Sequence, residues 1–175
     1  MSPDTSPPAG APAGAAGSAE PGGPSGIQLC TFHVDHLLVG IEVGRVQEVV
    51  RHQPTTPVPT ARPEIEGLIN LRGQIVTAID LRRLLDLPPR EGEAQPMNAV
   101  VRVEKEAVSL LVDRADEVVE VPADGLAPVP ATAPERVREV CTGTYRLPEH
   151  LVLRLDPDRL VALDPGVRDT RRSPS

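Results

Sequence analysis

Aromatic residues are almost missing from this sequence. Of its 175 residues only Phe32 and Tyr145 are aromatic, and there is no tryptophan. Surfaces that stack nucleic-acid bases or sugar rings need several aromatic side chains, so neither class of binding protein is supported. The core must instead be formed by aliphatic side chains.

Positive charge, cysteine and long apolar runs are also scarce. The net charge is −7 at pH 7, and no basic run precedes the short cluster at residues 168–172, so no nucleic-acid partner is predicted. Cys30 and Cys141 lie far apart without a second Cys or His at ligand spacing, so no metal or cofactor is predicted. No apolar run reaches the roughly 18 residues of a membrane-spanning helix.

The N-terminus lacks the basic region and apolar stretch of a signal peptide. We therefore expect a cytoplasmic protein that does not insert into a membrane. Both thiols should stay reduced in that compartment.

No residue pattern in the chain points to catalysis. The four histidines lack the spacing of metal ligands, and no glycine-rich phosphate loop opens a helix. Ser109 lies in a predicted strand without a nucleophile elbow. Asp80, Asp156 and Asp158 have helix-start roles, and a turn between strands is predicted to hold Asp113, Asp116 and Glu117. We therefore predict that the protein is not an enzyme.

Composition divides the chain into three parts. Residues 1–26 are nearly all Pro, Gly, Ala or Ser, a mixture that buries too little apolar surface to offset the entropy of ordering. We predict a disordered tail there, one packed domain over residues 27–166, and a polar C-terminal tail over residues 167–175.

The packed part has the pattern of an all-β fold. Short runs rich in Val, Leu and Ile alternate with turn residues, as in a pair of small barrels or a sandwich. The ten predicted strands are Gln28–Val34, Leu37–Val43, Gln47–Arg51, Gly67–Leu71, Ile75–Ile79, Asn98–Glu104, Ala107–Val112, Glu117–Val121, Val140–Leu147 and Leu151–Leu155.

A few short helical pieces are predicted between the strands. Asp80 can cap a helix over Leu81–Leu87, which Pro88 ends. Asp156 followed by Pro157 is a stronger start, since the carboxylate accepts amides of the first turn and proline at the first position loses no hydrogen bond. That helix carries Leu160, Val161 and Leu163. A third, shorter turn is predicted over Pro63–Glu66.

The segment Gly67–Arg82 carries the most specific motif. An apolar strand ends in Asn70-Leu-Arg72-Gly73, glycine permits a tight turn, and a second apolar strand leads into Asp80-Leu-Arg82. This arrangement resembles the CheW-like domain family. Further elements resemble that family in the same order. They are residues 32–43, Val46-Gln-Glu-Val49, Leu110–Val118, Thr142-Gly143 and Leu151–Leu160.

The resemblance implies a fold and a function. The fold would be two five-stranded SH3-like β-barrel subdomains with a few short helices. The protein would be a chemotaxis adaptor that couples a methyl-accepting chemoreceptor, through its hairpin tip, to the regulatory domain of a CheA-type histidine kinase. The residues at the family's receptor groove would be Val46, Glu48, Gly67, Asn70, Arg72, Gly73 and Ile75.

Two further roles and three readings stay open at this point. Glu48 and Arg72, on adjacent apolar strands, pair with each other, contact the receptor, or do both. The first reading is a stand-alone adaptor. The second is a regulatory CheW-like protein of another kind, either a module of another two-component pathway, such as gliding or development, or a fragment or regulatory relative of CheA or CheV. A small β-barrel enzyme is the third reading.

Overall fold

The structure is a computed structural model that describes residues 26–59, 61–104 and 106–163, and only the backbone of residues 161–163. The predicted tails over residues 1–26 and 167–175 lie outside the described residues, except Gly26, which begins the first strand. Residues 164–166, the predicted end of the domain, also lie outside them.

Ten strands and three short helices make up the described part. The strands are β1 (Gly26–Val34), β2 (Leu37–Glu42), β3 (Val46–Arg51), β4 (Ile65–Leu71), β5 (Gln74–Asp80), β6 (Met97–Val103), β7 (Glu106–Val112), β8 (Arg114–Pro122), β9 (Cys141–Arg146) and β10 (Leu151–Leu155). The helices are α1 (Leu81–Leu84), α2 (Glu135–Val140) and α3 (Pro157–Leu163), and a 3₁₀ turn covers Val43–Arg45.

The strands form two five-stranded sheets, which confirms the predicted fold class. The first sheet has the order β8-β1-β2-β10-β9, and the second has the order β3-β6-β7-β5-β4. One aliphatic core joins them, because Phe32 and Ile41 of the first sheet belong to the same buried cluster as Ile79, Val101 and Leu110 of the second. Burial of this shared apolar surface holds the two sheets together.

Both sheets are built on the same plan, repeated once along the chain. Strands β1 to β3 match β6 to β8 at a spacing of 69 positions (103 − 34), since the pair Val34–Leu37 corresponds to Val103–Glu106. Elements β4, β5 and α1 match β9, β10 and α3 at a spacing of 76 (143 − 67). The repeats exchange strands, because β1 and β2 of the first repeat pair with β8 and β10 of the second.

Equivalent glycines mark one close approach in each sheet. A Cβ on Gly67 would lie 2.5 Å from the Thr56 carbonyl oxygen, and a Cβ on Gly143 would lie 2.5 Å from that of Ala127. Thr56 forms an isolated backbone bridge with Leu68, and Ala127 forms one with Thr144. In each case the bridged strand residue is the one that follows the glycine. Only glycine lets these loop segments pair so closely with β4 and β9.

Most local predictions are confirmed, and four need correction. All ten strands are present, the Asp80 carboxylate accepts the Arg82 amide, and the Asp156 carboxylate accepts the Asp158 amide. However, α1 ends at Leu84, residues 63 and 64 form a non-helical turn before β4, and α2 was not predicted. Asp116 and Glu117 lie in β8 rather than in a turn, because an edge strand can leave both of these side chains exposed to solvent.

Candidate partner-docking site

The turn between β4 and β5 is the most exposed part of the predicted site. Leu71 pairs with Gln74, so Arg72 and Gly73 form a two-residue loop. Both have positive φ, 54° and 84°, as a type I′ hairpin turn requires. The Asn70 side-chain oxygen accepts a hydrogen bond of 3.0 Å from the Gly73 amide. These contacts fix the loop and project the Arg72 side chain from it.

Arg72 makes a forked contact with Glu48. One guanidinium nitrogen lies 2.9 Å from Glu48 Oε1 and the other donates to Oε2 at 3.2 Å. The Arg72 side chain is 76% exposed, whereas that of Glu48 is 19% exposed. The carboxylate therefore acts as the anchor, and the guanidinium keeps donors available to solvent.

The expectation that these two residues lie on adjacent strands is wrong. Glu48 belongs to β3 and Arg72 follows β4, and these strands are the opposite edges of the second sheet. The pair forms because the sheet curls until its two edges approach each other. Such curling is compatible with the predicted SH3-like barrel.

The other predicted site residues all lie on the second sheet, but they differ in exposure. Ile75 is 45% exposed and faces Asn70, its exposed cross-strand partner. Val46 is half-buried at the start of β3. Gly67 is buried against the backbone of Thr56, so it shapes the strand and offers no surface to a partner.

A partly buried charge network beside the shared core was not predicted as part of the site. Arg82 donates to both oxygens of Asp113, at 3.0 and 2.6 Å, and also lies 3.4 Å from Asp35. Arg90 donates to Asp113 at 3.1 Å and lies 3.4 Å from Asp80. Asp80-Leu-Arg82 and the segment Leu110–Val118 are separate motifs in the sequence, and their contact depends on the pairing of β5 with β7.

Contacts in and beside the network shift the pKa of Asp113, Asp35 and Arg82. Burial alone would raise the pKa of Asp113, but the hydrogen bonds from Arg82 and the charges of Arg82 and Arg90 outweigh it, so its pKa is lowered. The pKa of Asp35 is lowered chiefly by its hydrogen bond with His36. The hydrogen bond with Asp113 raises the pKa of Arg82. These three groups are therefore charged at neutral pH.

Across the described residues there is no group of three or more His, Cys, Asp and Glu side chains placed to hold a metal ion. Cys30 and Cys141 are free thiols, and burial raises the pKa of Cys141 to about 12. Among the described helices, none has the length and apolar character needed to cross a membrane.

Comparison with known proteins gives a consistent result. The CheW-like domain model matches residues 28–164. The chemotaxis protein CheW of Thermotoga maritima is 25% identical over 135 residues, covering 77% of this chain and 87% of its own. That of Treponema pallidum is 29% identical over 144 residues, 79% of each chain. The crystal structure of the scaffolding protein TtCheW from Thermoanaerobacter tengcongensis has a TM-score of 0.68 and 24% identity, covering 75% of this chain and 89% of its own, and thus shares the fold.

The class that this fold and the matching family define is a non-enzymatic scaffold. The chain belongs to the CheW-like domain family. It is a chemotaxis adaptor that couples receptors to the kinase CheA, as sequence analysis predicted.

Proposed function

We propose that the receptor's helical hairpin tip docks against the β4–β5 turn, and that other faces of the protein bind the regulatory domain of the CheA-type kinase. The observation that carries this proposal is the Arg72 guanidinium, which is 76% exposed yet held in place by Glu48. Most exposed arginines lose rotamer freedom when a partner binds them. Arg72 is already ordered, so it binds a partner at a smaller entropic cost.

The donors and apolar groups at the turn match a helical hairpin. The guanidinium carries five N–H groups, of which Glu48 takes two, so the rest are available for carbonyl or carboxylate oxygens. The tip of a helical hairpin presents such carbonyls where its first helix ends. Ile75 and Val46 supply apolar surface beside the donor, while Asn70 and Gly73 keep the turn in shape.

On this proposal the seven predicted groove residues divide by role. Arg72 is the donor and Glu48 its anchor, and Ile75 and Val46 provide apolar contact. Asn70, Gly73 and Gly67 act through the backbone geometry of the turn and strand. The protein works in the cytoplasm at membrane-associated receptor arrays, with residues 27–166 as the functional domain and the two terminal segments dispensable for docking.

Calorimetric titration of the purified protein with a receptor hairpin fragment tests the proposal. We expect Arg72→Ala to weaken receptor binding about tenfold or more, because it removes the anchored donor. Ile75→Ser should weaken it less. Kinase regulatory-domain binding should be retained in both variants, because the kinase uses other faces.

Arg146→Ala provides a matched control. Arg146 is an exposed arginine at the equivalent hairpin of the first sheet, where it pairs with Leu151 as Asn70 pairs with Ile75. Its removal should leave receptor affinity unchanged. Equal receptor affinity of folded Arg72→Ala and the wild type would show that the turn is not the receptor site.

A further inference from the structure

The chain passes between the two sheets at two places in the described part. The first crossover is the 3₁₀ turn Val43–Arg45, which joins β2 to β3. The second is the single residue Asp113, which joins β7 to β8. The two crossovers are equivalent in the repeat, since Gly44 and Asp113 are separated by the same 69 positions (113 − 44) as the strands before and after them.

An ion pair holds the second crossover. Arg82, the second residue of α1, donates two hydrogen bonds of 2.6 and 3.0 Å to the Asp113 carboxylate, and both side chains are mostly buried. The same carboxylate accepts the Asp35 amide at 2.7 Å, and the Asp113 amide donates to the His33 carbonyl at 2.8 Å. Asp113 is thus bonded to the β1–β2 hairpin of the first sheet and to the helix that follows β5 of the second.

An ion pair of opposite polarity holds the first crossover. Arg45 lies 2.7 Å from the carboxylate of Asp158, the second residue of α3, and donates to the Arg102 carbonyl at 2.8 and 3.1 Å. Asp158 occupies the position equivalent to Arg82, 76 residues later (158 − 82). In the ion pair at the second crossover the helix supplies the cation and the crossover supplies the anion. In the ion pair at the first crossover the signs are reversed.

We infer that the pairs Arg82–Asp113 and Arg45–Asp158 are crossover clamps that fix the angle between the two sheets, and that these four are positioning residues for coupling. The inference rests on the proposed function. Burial of the shared aliphatic core favours contact between the sheets without fixing the angle between them. Charge-assisted hydrogen bonds are directional, and they are forked between Arg82 and Asp113 and single between Arg45 and Asp158. The reversed polarity also specifies partners, because a helix placed at the wrong crossover would face a like charge.

The clamps matter to an adaptor because its two partners must be held in a fixed relative orientation. The proposed receptor site lies wholly on the second sheet. A partner bound to the first sheet is therefore aligned with the receptor only through the inter-sheet angle. Loosening a clamp should leave each separate binding step nearly intact and weaken the assembly of both partners on one molecule.

Distances between spin labels on the two sheets test directly whether the clamps fix the angle between the sheets. Cysteines replacing the exposed, equivalent residues Arg51 and Glu120 carry the labels, in a full-length background with Cys30→Ser and Cys141→Ala. We expect one narrow distance distribution by pulsed electron paramagnetic resonance. It should broaden or shift in Asp113→Asn, and in Asp158→Arg, which places two arginines together at the first crossover.

Restoration and control variants separate positioning from general stability. Combining Asp158→Arg with Arg45→Asp rebuilds the first clamp with reversed charges and should recover part of the narrow distribution. Glu42→Gln is the control, because Glu42 pairs with Arg154 inside the first sheet and spans no crossover. It should lower the melting temperature without changing the distance distribution.

Coupling is measured on the same variants by titrating receptor fragment and kinase regulatory domain, first separately and then together. We expect Asp113→Asn to weaken assembly of the ternary complex about fivefold or more, with both separate affinities nearly unchanged. An unchanged distance distribution in Asp113→Asn and Asp158→Arg, or full ternary assembly despite an altered distribution, would overturn the inference. A wild-type protein that binds neither partner refutes the proposed function instead, while the distance measurement still decides whether the clamps exist.

Discussion

The pairing of Glu48 with Arg72 gives a quantitative prediction about stability, to be tested by a double-mutant cycle. The two single changes Glu48→Ala and Arg72→Ala are compared with the double change. Alanine at position 72 keeps a side chain on the same left-handed backbone, φ 54°, so the strain at that position is nearly constant across the cycle. The cycle therefore isolates the interaction between the side chains.

The expected magnitude follows from exposure. A fully buried pair broken on one side would cost about 3–5 kcal/mol, but the Arg72 side chain is 76% exposed and water can solvate either partner. Exposed pairs measured by such cycles are worth about 0.2–1 kcal/mol. Glu48 is 19% exposed and the contact is forked, which places this pair toward the upper end of that range.

Urea unfolding at low ionic strength supplies the four free energies of unfolding, and a repeat in 1 M salt should reduce the coupling because exposed charges are screened. Additive effects at low salt would mean that the pair contributes nothing to the fold. A coupling well above about 2 kcal/mol would mean that the site is far less hydrated than its exposure indicates. Either result would refute the reasoning that treats Glu48 as an anchor at a solvent-exposed turn.

Three further predictions concern the fold. Gly67→Ala should lower the free energy of unfolding by about 2 kcal/mol or more, because its Cβ would lie 2.5 Å from a backbone oxygen and the residue has a φ of 150°. Gly44→Ala is the control, because its Cβ would have nothing within 4 Å, and its thermal melting should change little. The pKa of Asp113 in the folded state is lowered from 3.8, so its contribution to the free energy of unfolding is complete above the unfolded-state pKa and is lost as pH falls through the folded-state pKa. Asp113→Asn should therefore reduce the fall in the free energy of unfolding at acid pH. An equally steep fall in the variant would contradict this. Deleting residues 1–25 should leave the melting temperature unchanged, since a segment made almost entirely of Pro, Gly, Ala and Ser buries little apolar surface. A drop of several degrees would show that the tail packs on the domain.

Local sequence patterns predicted the strands well because each one is a short aliphatic run bounded by turn residues. The Asp80 cap was equally predictable, since a carboxylate before Leu81 has one obvious partner in the free amides of the first turn. The helix α2 was missed although Val137 and Val140 have helical spacing and are both buried. Six residues with two β-branched side chains give too weak a periodic signal to distinguish from a loop.

Long-range pairing explains the remaining differences. The motif around Arg72 identified a tight turn with glycine, but the positive φ of Arg72 itself depends on the two-residue loop length that the register imposes. Nothing local indicates that Glu48 and Arg72 sit on opposite sheet edges, or that Arg82 reaches Asp113. These contacts depend on the order of strands in a sheet, which turn chemistry and periodicity do not specify.

Exchange of strands between the two repeats has a consequence for the nascent chain. The hairpins β1–β2 and β4–β5 can pair as soon as they emerge from the ribosome. The second neighbours of β1 and β2 in the sheet are β8 and β10, which are synthesised much later, as the pairing of Gly26 with Pro122 shows. Neither sheet is complete until most of the chain has been synthesised, and the first repeat meanwhile exposes apolar faces and unpaired edges. A single cut in the loop between α1 and β6 would yield two fragments that each contribute strands to both sheets, and those fragments should remain associated and reassemble only together.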